Sequence, residues 1–323
     1  ARARAPWRQL GSRAVKPPGG QATMSPPAAV APPPPLPAAA ATFRQYRNDG
    51  GGGNDDPRTA VTSRVEAFYK EQHERQTVEF VRAMEARYTP APARRAPGMP
   101  RMGVWEAAEL LDTIIDDSDP DTSLSQIEHC MQTAEALRAA FPGEEHGWLH
   151  LTGFIHDLGK VLAHPAFGCL PQWAVVGDTY PVACAPDPLV VYHEHFAGCP
   201  DARVEAYARK HGVYSPGCGL DNVHMSWGHD EYIYRVLRAH APCVLPPEAL
   251  FICRYHSFYA LHQHGAYEWM LTAEERHTML PWLRTFQRFD LYSKDDDNRL
   301  DVRALRPYYE SLIDTYVPGV LQW

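Results

Sequence analysis

The chain has 323 residues, 45% of them hydrophobic and 22% charged, enough to bury a sizeable core in one large domain or two small ones. No uninterrupted apolar run reaches the roughly 18–20 residues that a membrane helix needs, so no membrane partner is expected. The formal charge of −8 argues against nucleic acid as a partner.

Residues 1–42 are of low complexity, with a proline run at Pro32–Pro35 and an alanine run at Ala38–Ala41. Proline removes donors and fixes φ, so this stretch is expected to be a disordered tail. Residues 1–47 carry seven basic side chains and no acid, which leaves 24 basic against 39 acidic groups in the rest. That bias suits an organelle transit peptide, but serine is scarce and no amphipathic helix is visible. A start at Met24, with upstream sequence translated in error, fits better than a targeting signal. Gly50–Gly53 is a flexible insertion, and residues 43–323 are expected to form the folded domain.

From about Arg58 the pattern predicts a long amphipathic helix on Val65, Phe68, Tyr69, Val78, Phe80 and Val81. Trp105–Ile115 predicts a second. Ser123-x-x-Gln126 has the form of a capping box opening a third, with Ile127, Met131, Ala134 and Leu137 on one face. A fourth runs from Trp148 to Leu158, stopped by Gly159. Trp173–Val176 and Leu189–Tyr192 are short and β-branched, the mark of a small strand pair. Helices resume at Asn222–Ala239 and Pro247–His262. Another follows a Thr272-x-x-Glu275 box with a kink at Pro281, and the last is Arg303–Tyr316. The fold class is therefore mostly α, a single helical bundle with a loop and strand excursion between Val161 and Leu220.

Seven cysteines form no C-x-x-C pair and are odd in number, so reduced thiols in a cytoplasmic protein are the simpler expectation. The sixteen histidines are more informative. His129, His156, His229 and His256 each lie in an apolar or aromatic helical stretch, and Asp157 and Asp290 share that setting. One such histidine alone is more often a core residue bonded to backbone than a ligand. Several together, joined by carboxylates and no thiolate, suit Fe, Mn, Zn or Mg. Cys130 is expected to point away from His129 around the helix. Asp230 is expected to orient its neighbour His229 rather than to ligate.

The order His129, His156-Asp157, Asp290 resembles the HD-domain superfamily, which would suggest a metal-dependent phosphohydrolase. The surrounding motifs are more specific. DDSDPD (116–121), HCMQTAE (129–135), HDLGK (156–160), PQWAVVGDTYPV (171–182), NVHMSWGHDEY (222–232), RYHSFY (254–259), MLPW (279–282), FDLYSK (289–294) and LRPYYESLIDTYVPG (305–319) follow in that order. TFRQY (42–46) and QTVEFVR (76–82) extend the series. Together they resemble the myo-inositol oxygenase family from about Phe43 to Trp323.

That resemblance implies O2-dependent cleavage of myo-inositol to D-glucuronate at two iron ions, in the mixed Fe(II)/Fe(III) state. It implies His129, His156, Asp157 and Asp290 as ligands of one iron, and His229 and His256 with a bridging Asp157 as ligands of the other. It places substrate contacts at Arg44, Asp116, Lys160, Gly177, Asp178, His256, Ser257 and Lys294, with Tyr69 near the entrance. Lys160 and Asp157 are the implied catalytic pair. A cation beside an iron-bound hydroxyl favours its alkoxide form. Without the resemblance, Lys160 would be a helix-end cation, Asp116 a residue of an acidic turn, and Gly177-Asp178 an ordinary turn. A monomer acting on inositol and O2 is expected. Departures fall at Gly50–Gly53, at 161–170 and at 193–211, where His193, His195 and His211 suggest a histidine-bearing surface loop. The hydrolase reading lacks a need for His229 and His256. A degenerate binding protein would not keep a competent residue at every ligand position.

Overall fold

The pattern that begins near Arg58 divides into two helices, α1 (Pro57–Arg75) and α2 (Val78–Tyr88), in the computed structural model, which describes residues 57–88, 99–114, 125–292 and 300–323. The break falls at Gln76. Its buried amide donates to the carbonyls of Trp173 and Trp227 and accepts from Trp227 N, which ties the junction to two distant segments. Thr77 then caps the next helix by accepting from Phe80 N. The tail and Gly50–Gly53 lie outside the described residues.

Strand β1 (Arg101–Met102) precedes α3 (Val104–Leu111), which ends earlier than the apolar pattern suggests. Helix α4 (Gln126–Ala140) opens on a capping box formed by Ser125 and Glu128. The expected box began at Ser123, outside the described residues, and Gln126 instead starts the helix. Helix α5 (Gly147–Ile155) packs antiparallel to α4, so closely that a Cβ on Gly153 would sit 2.8 Å from Ala134 Cα. Gly159 does not stop α5. The chain passes through His156 and Asp157 into a 3-10 turn over Leu158–Ala163. Gly159 lies in that turn because a Cβ there would meet the His229 carbonyl oxygen at 2.0 Å.

The expected strand pair is absent. Ala174 N and Val175 N bond to the carbonyls of Pro171 and Gln172, which winds Gln172–Ala174 into a 3-10 turn. Val190 N bonds to Asp187 O, and Tyr192 takes a left-handed φ of 49°. β-branched residues are used here for buried turns, because the local i→i−3 bonds satisfy the backbone without a partner strand. The only extended pairing in this middle region, among the described residues, is the bridge between Pro181 and Met225. It also explains why the next helix starts late. Residues 224–226 pair with 180–182 through Val182 N to His224 O and Ser226 N to Tyr180 O. Helix α6 (His229–Ala239) therefore begins at His229 rather than at Asn222.

Helix α7 (Pro247–Tyr255) returns antiparallel to α6, and the short α8 (Tyr259–His262) follows a break at His256–Phe258. The Thr272–Glu275 box forms as expected, with Thr272 N donating to Glu275 and Glu275 N to Thr272 Oγ1. A π-helical turn over Glu275–Met279 leads into α9 (Leu280–Tyr292), with Pro281 in its first turn, where a missing donor costs nothing. Helix α10 (Val302–Tyr316) leads to β2 (Leu321–Gln322), which pairs antiparallel with β1. Trp323 closes the chain with Nε1 on Met102 O. One core joins the helices, with Trp227, Trp282, Phe154, Phe286 and Tyr309 among its largest buried side chains. All seven cysteines are free thiols.

Candidate metal centre

Two helical hairpins meet at their matching ends. The α4–α5 hairpin carries His129 in its first turns and His156 just past its last residue. The α6–α7 hairpin repeats the arrangement with His229 and His256. Helix α9 adds Asp290, and Asp157 follows His156. All six residues are buried.

The distances divide them into two halves. Asp290 Oδ1 lies 3.0 Å from His129 Nε2 and 3.2 Å from His156 Nε2. Asp157 Oδ2 faces the same two nitrogens at 3.6 and 3.5 Å. Its other oxygen, Oδ1, faces His229 Nε2 at 3.3 Å and His256 Nε2 at 3.4 Å. The His229 and His256 Nε2 atoms are 3.2 Å apart.

Backbone carbonyls set the tautomers. His156 Nδ1 pairs with Gly153 O, His229 Nδ1 with Val175 O and His256 Nδ1 with Cys253 O. Each Nδ1 therefore carries a proton, so that the neutral ring presents its Nε2 lone pair to the cluster. His156 Nε2 has no hydrogen-bond partner although it is fully buried. A converging set of lone pairs and carboxylates with an orphaned nitrogen fits a bound cation and fits a proton network poorly. Burial alone would raise the Asp157 and Asp290 carboxyls. Opposing groups outweigh it, above all the Lys160 ammonium for Asp157, and both stay well below the usual carboxylate range. Burial keeps the Cys130 thiol protonated, pushed well above its ordinary value, so no thiolate competes as a ligand.

Lys160 packs against the same cluster. Its Nζ donates to Asp157 Oδ2 at 2.8 Å and to Gln126 Oε1 at 3.2 Å. Gln126 escaped the sequence reading, though it stands one helical turn before His129 on α4. Tyr69 Oη donates to Asp178 Oδ1 at 2.8 Å, and Gly177, at φ 89°, has no room for a Cβ against Phe68. Ser257 Oγ lies 3.3 Å from His229 Nε2. Arg44, Asp116 and Lys294 lie outside the described residues. Asp230 differs from the expectation. The orienting bond to His229 Nδ1 comes from Val175, while Asp230 Oδ1 stands 2.8 Å from His229 Nε2 and accepts from Ser257 Oγ at 3.1 Å.

The histidines of 193–211 do not pool. His193 bonds to Pro186 O, His211 packs on Trp269, and only His195 meets acids, Glu66 and Glu194, at a half-exposed position.

Fold and site together define a mostly α-helical protein with a buried histidine–aspartate pocket of the kind that holds metal ions. The family model for myo-inositol oxygenase matches residues 62–323, and the chain belongs to that family. It is 52% identical over 259 residues to a probable inositol oxygenase of Oryza sativa subsp. japonica, and 51% identical over the same length to inositol oxygenase 1 of Arabidopsis thaliana. Each match covers 80% of both chains. The inositol oxygenase of Homo sapiens is 47% identical over 261 residues, 80% of this chain and 87% of its own.

Proposed function

We propose that this chain, by family an oxygenase acting on inositol, cleaves the myo-inositol ring with O2 to D-glucuronate at a pair of iron ions, the first step of inositol breakdown. The observation that carries the two-metal reading is the division of Asp157, one oxygen toward each histidine pair. His129, His156, Asp157 and Asp290 would hold one ion, and Asp157, His229 and His256 the other. Six protein residues, shared four and three with Asp157 counted at each ion, leave positions for substrate and oxygen. Iron in the Fe(II)/Fe(III) state would supply the redox chemistry and a Lewis acid for two neighbouring hydroxyls.

The chain's own residues do the rest. Lys160 holds a positive charge within the cluster, where it favours the deprotonated form of a bound hydroxyl. Asp178, fixed by Tyr69, and Ser257, fixed by Asp230, offer directional contacts to a neutral polyol, and Gly177 keeps the backbone close. Arg44, Asp116, His256 and Lys294 complete the proposed contacts. No helix among the described residues is long and apolar enough to cross a membrane. We further propose that it acts as a cytoplasmic monomer, with inositol and O2 as its partners.

Anaerobic purification, metal analysis and EPR, followed by O2 uptake with myo-inositol, test it. Two irons per chain, inositol-dependent uptake and glucuronate are expected. Phosphatase activity without inositol-dependent uptake would favour the hydrolase of the same helical superfamily instead.

A further inference from the structure

We propose that Glu231 and Arg254 are positioning residues for the His229–His256 half of the centre, acting through the α6 and α7 backbones without touching a metal. The inference rests on the two-metal reading above. Glu231 stands two residues after His229, and Arg254 two residues before His256, so the pair crosses the hairpin just behind the two imidazoles. Arg254 Nε donates to Glu231 Oε2 at 2.7 Å, and its NH2 group reaches Glu231 Oε1 at 3.3 Å. Residues two apart on a helix lie about 200° apart, so neither side chain shares a face with its histidine.

Both groups are nearly inaccessible, at 2% and 6% exposure. Stripping water from two charges is costly and offsets much of their attraction, so such a pair is poor evidence of added stability. Setting the register of two elements is the better-attested role of a buried polar pair. The surroundings suit that role, because both partners are held from outside. Glu231 Oε1 also accepts from Arg235 Nε at 2.6 Å. Arg254 NH1 donates to Asp221 Oδ1 at 2.6 Å, and its guanidinium lies over the Tyr234 ring at 4.3 Å. A planar fork clamped on three sides cannot follow a sliding partner, so α6 and α7 hold one register.

The consequence is selective. The His229 and His256 Nε2 atoms stand 3.2 Å apart, and a splay of an ångström between the helices would spoil a shared ligand geometry. His129 and Asp290 sit on α4 and α9 and His156 just past α5, and none of the contacts of Glu231 and Arg254 given above falls on those elements. Asp230 gives a second tie at the same end by accepting from Ser257 N at 3.0 Å, so loss of the ion pair should loosen the half-site rather than erase it.

The test uses the full-length iron-loaded protein and its Arg254→Lys and Glu231→Gln variants. Lys keeps the charge and gives up the fork, whereas Gln keeps the shape and gives up the charge. Iron per chain is measured against rising chelator, with EPR of the coupled pair alongside. One iron should be lost about 10–100-fold more readily in the variants while the other keeps its wild-type resistance. The coupled signal should give way to that of an isolated ion. Should Glu231→Gln fail to fold, Arg254→Lys decides alone. Chelator profiles that superimpose on the wild type, or equal weakening of both irons, would overturn the inference. A wild type that itself holds one iron would instead break the two-metal reading on which it rests.

Discussion

A carboxylate has two oxygens, and Asp157 divides them between two histidine pairs, whereas Asp290 turns Oδ1 to one pair only. Asp157→Ala is therefore expected to lose both metals and Asp290→Ala chiefly one, as metal analysis of the purified variants would read. Two irons per chain in Asp157→Ala would sink the bridging role. Lys160 calls for a different test, since its Nζ contacts Asp157 but all six donors remain when it is removed. Lys160→Ala should keep its metals and lose roughly a hundredfold in turnover, the size of a single well-placed electrostatic stabiliser in a dry site. A helix-end role would cost only a fraction of a kcal/mol of stability and leave inositol-dependent O2 uptake intact. At this scale the sequence was informative about residue types and held one unused sign of their grouping. No two of His129, His156, His229 and His256 lie within a helical turn of each other, but 129/156 and 229/256 share one separation of 27 residues, the length of a helical hairpin. Their assignment as ligands came from a resemblance, and the fold brings the same side chains into two adjoining groups.

Helices with their own caps were legible, as the Thr272–Glu275 box shows. Elements decided by distant partners were not. The start of α6 moved from Asn222 to His229 because residues 224–226 bond across to 180–182, a choice no local propensity records. Gly159 was misread for the same reason. Its role is to admit the His229 carbonyl, so Gly159→Ala must push α6 away from the turn after α5. A loss of about 1–3 kcal/mol or more is expected, seen as a lower Tm together with weaker metal retention. Helix α1 offers a pH test. His73 bonds to Val191 O and Tyr180 Oη and stacks on Phe196, and burial lowers its pKa from 6.5 to about 4. Between those values the unfolded chain binds the extra proton. The stabilisation from a neutral His73 is thus complete above pH 6.5 and is lost as pH falls toward 4, by up to about 3 kcal/mol. In His73→Phe the plot of Tm against pH should be flatter across that window, and a slope equal to wild type would remove His73 as a cause of acid sensitivity.

For the whole molecule, the composition break between the proline-rich start and the helical remainder is the feature most readable without coordinates, and it separates folding from binding in a testable way. Among the described side chains the core begins at Val65, and the family match begins at residue 62. Deleting residues 1–40 should leave both Tm and activity nearly unchanged, because proline and alanine tracts without apolar periodicity add little to a core. Deleting residues 1–56 should also leave a folded protein, with Tm within a few degrees of wild type. This longer deletion removes Arg44, one of the proposed inositol contacts. A charged hydrogen bond to a substrate hydroxyl is worth about 1.5–3 kcal/mol, so KM for inositol should rise roughly tenfold or more. If that contact is equally strong in ground and transition states, kcat should change little. An unchanged KM would take Arg44 out of the pocket. A large fall in Tm on the shorter deletion would show that the first forty residues pack on the domain.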